Sequence, residues 1–119
     1  MYILPKLNFS YDSLEPFMDS ETVQIHYEKH HQGYIDKLND SLKDNPELFE
    51  YSVEDLLGNL DKVPENIRQK GVNFGGGHAN HNFFWECMRP TGAVFERDWF
   101  EPYKEEFVEK AKTLFGSGW

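Results

Sequence analysis

The sequence predicts a mainly α fold. Apolar residues return at three- and four-residue steps in several separate segments, as they do along one face of a helix. Capping or helix-breaking residues stand at the ends of those segments. All five histidines lie on two of them at helical spacing.

Residues 1–19 carry Pro5, Pro16 and scattered aromatics without a period, and read as an ordered but irregular arm. Asp19 or Ser20 can cap the free backbone N–H groups of a helix over residues 22–43, which ends before Asn45 and Pro46. Val23, His26, Tyr27, His30, Tyr34, Leu38 and Leu42 are expected on one face of it. Ser52 and Asp55 form a capping arrangement for a short helix whose apolar side is Val53, Leu56, Leu57 and Leu60. Pro64 suits a first helical turn and opens a segment running to about Met88. Gly75, Gly76 and Gly77 interrupt that segment. Each costs a helix about 1 kcal/mol relative to alanine, so propensity favours a break. The alternative is a close approach to the backbone that only a missing Cβ allows.

The run Arg89-Pro-Thr-Gly92 marks a boundary, dividing the chain into residues 1–89 and 90–119. Beyond it Phe100, Tyr103, Phe107, Ala111 and Leu114 outline a last amphipathic helix, stopped by Gly116. Gly116, Ser117 and Gly118 are a turn signal with only Trp119 behind them, so the chain is expected to stop as a next element begins.

Composition narrows the function classes. Twelve Lys and Arg against 21 Asp and Glu leave a formal charge of −9, with no basic stretch to bind a phosphate backbone. No apolar run approaches the roughly 20 residues needed to span a bilayer. The single cysteine, Cys87, forms no intrachain disulfide and fits a reducing compartment. The N-terminus lacks a secretory pattern, so a cytoplasmic location is expected. Ten Phe, six Tyr and three Trp need packing partners, which argues for a folded chain.

The chemistry lies in the histidines. His26 and His30 are four apart, and His78 and His81 three apart, so each pair shares a helical face. Two facing helices can supply imidazole ligands to one transition metal from both sides. Hydrogen-bonded core or surface histidines explain the same spacing, and one member of each cluster is expected to be that. Cys87, between Trp85 and Met88, reads as a small core residue, and the paired carboxylates read as solvated faces.

The segments Ile25-His-Tyr-Glu-Lys-His-His-Gln-Gly-Tyr34 and Gly75-Gly-Gly-His-Ala-Asn-His-Asn-Phe-Phe-Trp85 resemble the manganese/iron superoxide dismutases. Leu4-Pro5, Tyr11-Asp12, Leu14-Glu-Pro16 and Phe115-Gly-Ser-Gly-Trp119 match in the same order, so the resemblance covers essentially the whole chain. It implies a long antiparallel helical hairpin after the N-terminal arm, then the first helix of a C-terminal α/β domain cut before its sheet. It implies His26 and His81 as metal ligands, one from each arm of the hairpin. His30 and Tyr34 resemble the pair that guards the substrate funnel and relays protons. Phe84, Trp85 and Trp119 resemble the apolar wall around the metal, which affects its potential and the pKa of bound solvent. Gly77 resembles the manganese-type pattern, where a small residue leaves room for a glutamine from the C-terminal half; manganese is therefore favoured over iron. His31 and His78 lie in the same motifs and take structural roles. The implied reaction is dismutation of superoxide to dioxygen and hydrogen peroxide. Lys29 is the one local cation visible to steer that anion against the net charge.

The departure from the family matters equally. Its remaining ligands, an aspartate and a histidine in an Asp-x-Trp-Glu-His motif, are absent from these 119 residues. The stretch after Pro90 also looks shorter than in the family. Three expectations follow: half of a dismutase, inactive alone; a homodimer holding metal in a shared four-histidine cage; or a hairpin reused to bind a partner. Under all three, Phe74, Phe83, Phe84, Trp85 and Trp119 would leave an apolar patch that favours a homo-oligomer, a dimer or higher.

Overall fold

The computed structural model describes residues 1–88, 90, 101–103, 105–106 and 108–109. Among them there is no strand, and two long helices run against each other. Helix α1 covers residues 20–42 as an α-helix (Ser20–Ile25), a π-helical segment (His26–His31) and a second α-helix (Gln32–Leu42). Its start is fixed by Asp19, whose carboxylate accepts the Thr22 N–H at 2.8 Å. Helix α2, Val53–Gly58, is capped by Ser52, whose hydroxyl accepts the Asp55 N–H at 3.0 Å. Helix α3 covers residues 65–87, again with a π-helical segment, Gly71–Gly75, between Glu65–Lys70 and Gly76–Cys87. Pro64 stands at its N-cap.

The π segments correct two expectations. In a π turn the hydrogen bond spans five residues, so the buried stripe moves on by one position. His31 and Ile35, which lie off the expected face of α1, are buried, whereas His30 is exposed. In α3 the three glycines cause no break. A Cβ on Gly77 would overlap the Tyr34 ring, whereas one on Gly75 would make ordinary contact with Leu57 at 3.4 Å. Close approach, not a break, explains Gly77.

Two apolar clusters flank the histidines. One joins Leu38 and Leu42 of α1 to Leu48, Val53, Leu56 and Val63, with Phe74 and Tyr2 packed on it. The other buries Leu14, Val23 and Trp85 beneath the N-terminal arm, through Leu7, Phe9, Tyr11 and Met18. Each buried leucine or valine stabilises the fold by about 1.5–3 kcal/mol. Hydrogen bonds pin the arm down. Tyr2 exchanges two with Asn39, and the Tyr27 hydroxyl donates to the Pro5 carbonyl at 2.7 Å.

Of the expected apolar patch, Trp119 lies outside the described residues, and the other four divide. Trp85 is buried by the arm and Phe74 is half-buried on the core, which leaves Phe83, 68% exposed, and Phe84, 36% exposed. Cys87 is exposed, contrary to the core role expected of it. It stands two residues after Trp85, roughly 200° around the helix from that buried ring. Of the expected last helix, Tyr103 lies in a short 3-10 turn, Glu101–Tyr103. Phe100, Phe107, Ala111, Leu114 and Trp119 lie outside the described residues. Among the described residues, no helix is long and apolar enough to cross a membrane.

Candidate metal centre

His26 opens the π segment of α1, and His81 sits one turn into the last part of α3. Although 55 residues apart in the chain, their Nε2 atoms meet at 3.0 Å. The proton on His81 is assigned by its other nitrogen. Nδ1 lies 2.7 Å from the Gly77 carbonyl, which can only accept, so Nδ1 carries the hydrogen and Nε2 presents a lone pair towards His26. Burial is the largest cause holding both imidazoles below the ordinary histidine pKa; for His26, the neighbouring His81 and His30 push the same way. Neutral imidazole is the form that binds a metal.

The donor set fits a transition metal as far as it goes. Imidazole–metal bonds of about 2.0–2.1 Å bring two ligands at a right angle to roughly 3 Å from each other. Among the described residues no group of three or more His, Cys, Asp or Glu is placed so that it could hold a metal ion, so this pair offers two donors and not a full set. The pair faces a cavity of ≈ 350 Å³ lined by Thr22, Ile25, His26, His30, Tyr34 and His81, with no carboxylate in its wall.

The other predicted residues fall around this cavity. The His30 ring stands edge-on to His26 with centroids 5.9 Å apart, and the half-buried Tyr34 ring is 5.2 Å from that of His81. Phe84 and Trp85 pack on the His26 ring at 5.1 and 5.0 Å, an apolar wall on the side away from solvent for Trp85 only. Among the described residues, Tyr34 lies in the space beside Gly77.

Behind this pair of histidines lies a second one. The Trp85 Nε1–H donates to His31 Nδ1 at 3.1 Å, and His31 Nε2 lies 2.7 Å from His78 Nδ1. An indole nitrogen only donates, so His31 carries its hydrogen on Nε2 and gives it to His78. His31 has no exposed surface, and burial, followed by His78 and the other imidazoles, lowers its pKa to about 3. The structural role expected of His31 and His78 is thus a buried hydrogen-bonded pair. Their tie to Trp85 was not anticipated; a four-residue step from Tyr27 through His31 to Ile35 was its only signal in the sequence.

Residues 1–89 match the family model for iron/manganese superoxide dismutases, alpha-hairpin domain. Over 99% of its length the chain is 46% identical to Superoxide dismutase [Mn] of Listeria innocua. The chain belongs to the iron/manganese superoxide dismutase family. It is 47% identical to the Superoxide dismutase [Mn] of Listeria monocytogenes, and 45% identical over 98% of its length to Superoxide dismutase [Mn/Fe] 2 of Staphylococcus aureus. It spans 64% of each Listeria relative and 62% of the staphylococcal one. The two long helices are the superoxide dismutase hairpin, and His26 and His81 face each other from its two arms. The relatives' names include both manganese and iron.

Proposed function

We propose that this chain contributes His26 and His81 to a redox-active manganese or iron site that dismutes superoxide, and that the chain alone is inactive. The observation that supports this most is the approach of two neutral Nε2 atoms to 3.0 Å at the wall of an open cavity. When bound, the ion supplies one-electron chemistry, accepting an electron from one superoxide and returning it to the next. The residues of this chain do the rest. His81 is held with its lone pair outward by the Gly77 carbonyl, so it needs no reorganisation to bind. His26 rests on Phe84 and on the buried Trp85, and Trp85 limits water on its side. Tyr34 and the exposed His30 border the cavity where peroxide needs its protons, and serve as relay and gate. Lys29, exposed beside His30, draws the anion towards the opening.

The further ligands would come from an Asp-x-Trp-Glu-His motif outside these 119 residues. Gly77 favours manganese over iron as the working metal, and the lone cysteine suits the cytoplasm.

A second reading draws on the same pair. Two donors leave at least two positions open in a four-coordinate site. A second copy of the chain could fill them, giving a four-imidazole cage without the anionic ligand that tunes the potential. Ile25, Phe83 and Phe84 are exposed large apolar residues, and Ile25 lines the cavity itself, which favours self-association there. A hairpin that only binds a partner remains the reading without metal.

Elemental analysis of desalted protein, expressed with manganese and iron available, separates these readings. No turnover above free metal is the expected result, and any retained metal that disappears in the H26A/H81A variant means that another chain completes the half-site. One ion per two chains selects the shared cage. Metal-free folded protein that keeps its partner in the double variant selects the binding hairpin. Robust metal-dependent turnover by the isolated chain overturns the proposal.

A further inference from the structure

Each ligand imidazole leans on a residue of the opposite helix. His26 of α1 packs edge-on against Trp85 of α3, centroids 5.0 Å apart. His81 of α3 stacks on His31 of α1, centroids also 5.0 Å apart with 18° between the planes. The two props are joined directly, since Trp85 donates its indole hydrogen to His31 at 3.1 Å.

We propose that the Trp85–His31 hydrogen bond is a strut that sets the separation of the two Nε2 atoms, with His78 keeping His31 in the tautomer able to receive it. Trp85, His31 and His78 are then positioning residues, and the proposal rests on the reading of His26 and His81 as ligands.

The chemistry of the three groups leaves one arrangement. Indole nitrogen cannot accept, so the bond exists only while His31 Nδ1 is bare. The hydrogen must then sit on His31 Nε2, in a place without water access, where an unsatisfied donor is costly. His78 Nδ1, at 2.7 Å, satisfies it. Remove that acceptor, and His31 must turn or move its hydrogen to Nδ1, which ejects the Trp85 N–H. Either change frees the two surfaces on which the ligand rings lie. Partners one step behind metal ligands typically cost 10–100-fold in affinity when removed.

The test uses the full 119-residue chain and Zn2+ alone, a redox-inert probe of imidazole pairs. Zn2+ affinity is measured by competition with a chromophoric chelator, and histidine tautomers by long-range 1H–15N NMR. W85F keeps an apolar aromatic ring but deletes the N–H together with the pyrrole half of the indole, so the H78L and H78Q pair, which leaves that ring intact, is read beside it. W85F should weaken Zn2+ binding about 10–100-fold and release His31 from a pure Nε2–H state. H78L should do the same, and H78Q, whose amide oxygen can accept from His31, should recover most of the loss. A merely structural role would lower unfolding midpoints of all variants without separating H78Q from H78L in Zn2+ affinity. Zn2+ binding by W85F within twofold of wild type, with His31 still Nε2–H, overturns the strut. If W85F fails to fold, the H78L and H78Q pair decides alone. Wild-type protein that binds no Zn2+ through His26 and His81 removes the ligand reading instead. His31 found as Nδ1–H in the wild type overturns the strut whatever the metal result.

Discussion

The ring of Tyr34 fills the volume that a Cβ on Gly77 would occupy. The two residues belong to opposite arms of the hairpin, so the missing methyl sets how closely a cavity-lining side chain of α1 lies against α3. Alanine at position 77 would gain about 1 kcal/mol of helix propensity. Overpacking costs about 1–3 kcal/mol, and here the overlap includes Tyr34 Cγ, so a ring flip cannot relieve it and the side chain must leave by χ1. G77A should therefore lose about 1 kcal/mol net. With Tyr34 already truncated to alanine, the same change should stabilise. Urea unfolding of the four proteins of this double-mutant cycle measures the coupling, and strict additivity would mean that the contact is not felt.

Metal should stabilise the fold through the same pair of nitrogens. A ligand that binds only the native chain, present at a hundred times its Kd, adds about 2.7 kcal/mol. Thermal unfolding with and without Zn2+ should show that gain in the wild type and none in H26A/H81A, with chelator restoring the metal-free midpoint. Equal stabilisation of the double variant would place the ion elsewhere.

Cys87 gives a simple check on the orientation of α3. Its exposure follows from its place two residues beyond the buried Trp85. A thiol reagent such as DTNB should titrate one thiol per chain without denaturant, as fast as in a small peptide to within about tenfold. A thiol that reacts only after unfolding would mean that the end of α3 is rotated or covered.

Much of this architecture is legible in local chemistry. Asp19, Ser52 and Pro64 mark the helix starts because each has a cap or a fixed φ to offer, and the structure uses all three. His26 and His81, which the resemblance and not the spacing singles out, meet across the hairpin. What the sequence hides is non-local. A π turn leaves no residue signature, so the shift that buries His31 and exposes His30 is invisible to a 3.6-residue period. Trp85 is buried because the N-terminal arm folds over it through Leu7, Phe9 and Met18, contacts that close loops of more than 60 residues. Gly77 is read correctly as a place of close approach, yet only the structure identifies Tyr34 as what approaches.

The same buried imidazoles make stability depend on pH. His26, His31, His78 and His81 all have pKa values below the ordinary range, with burial the largest cause for each. For His78 the charge of Glu54 pulls the other way, as the Gly77 hydrogen bond does for His81. In the unfolded chain each returns to about 6.5. As pH falls below that value the unfolded state takes up protons that the native state refuses, so stability falls with it, and for His31 the loss continues towards pH 3. Above about 6.5 these groups contribute no slope. Between pH 6.5 and 4.5 His31 can contribute up to about 1.4 kcal/mol per pH unit, with the other three adding in the same direction. The depressed carboxylates Asp19 and Asp40 act only lower, as pH drops through their ordinary range near 3.8, so this window isolates the histidines. Metal-free protein unfolded in urea at pH 5 and pH 7 should show a clearly lower midpoint at pH 5, and H31L should have a shallower dependence by close to one proton. A midpoint unchanged between the two pH values would mean that the imidazoles are solvated and that the cluster behind the metal pair is not closed.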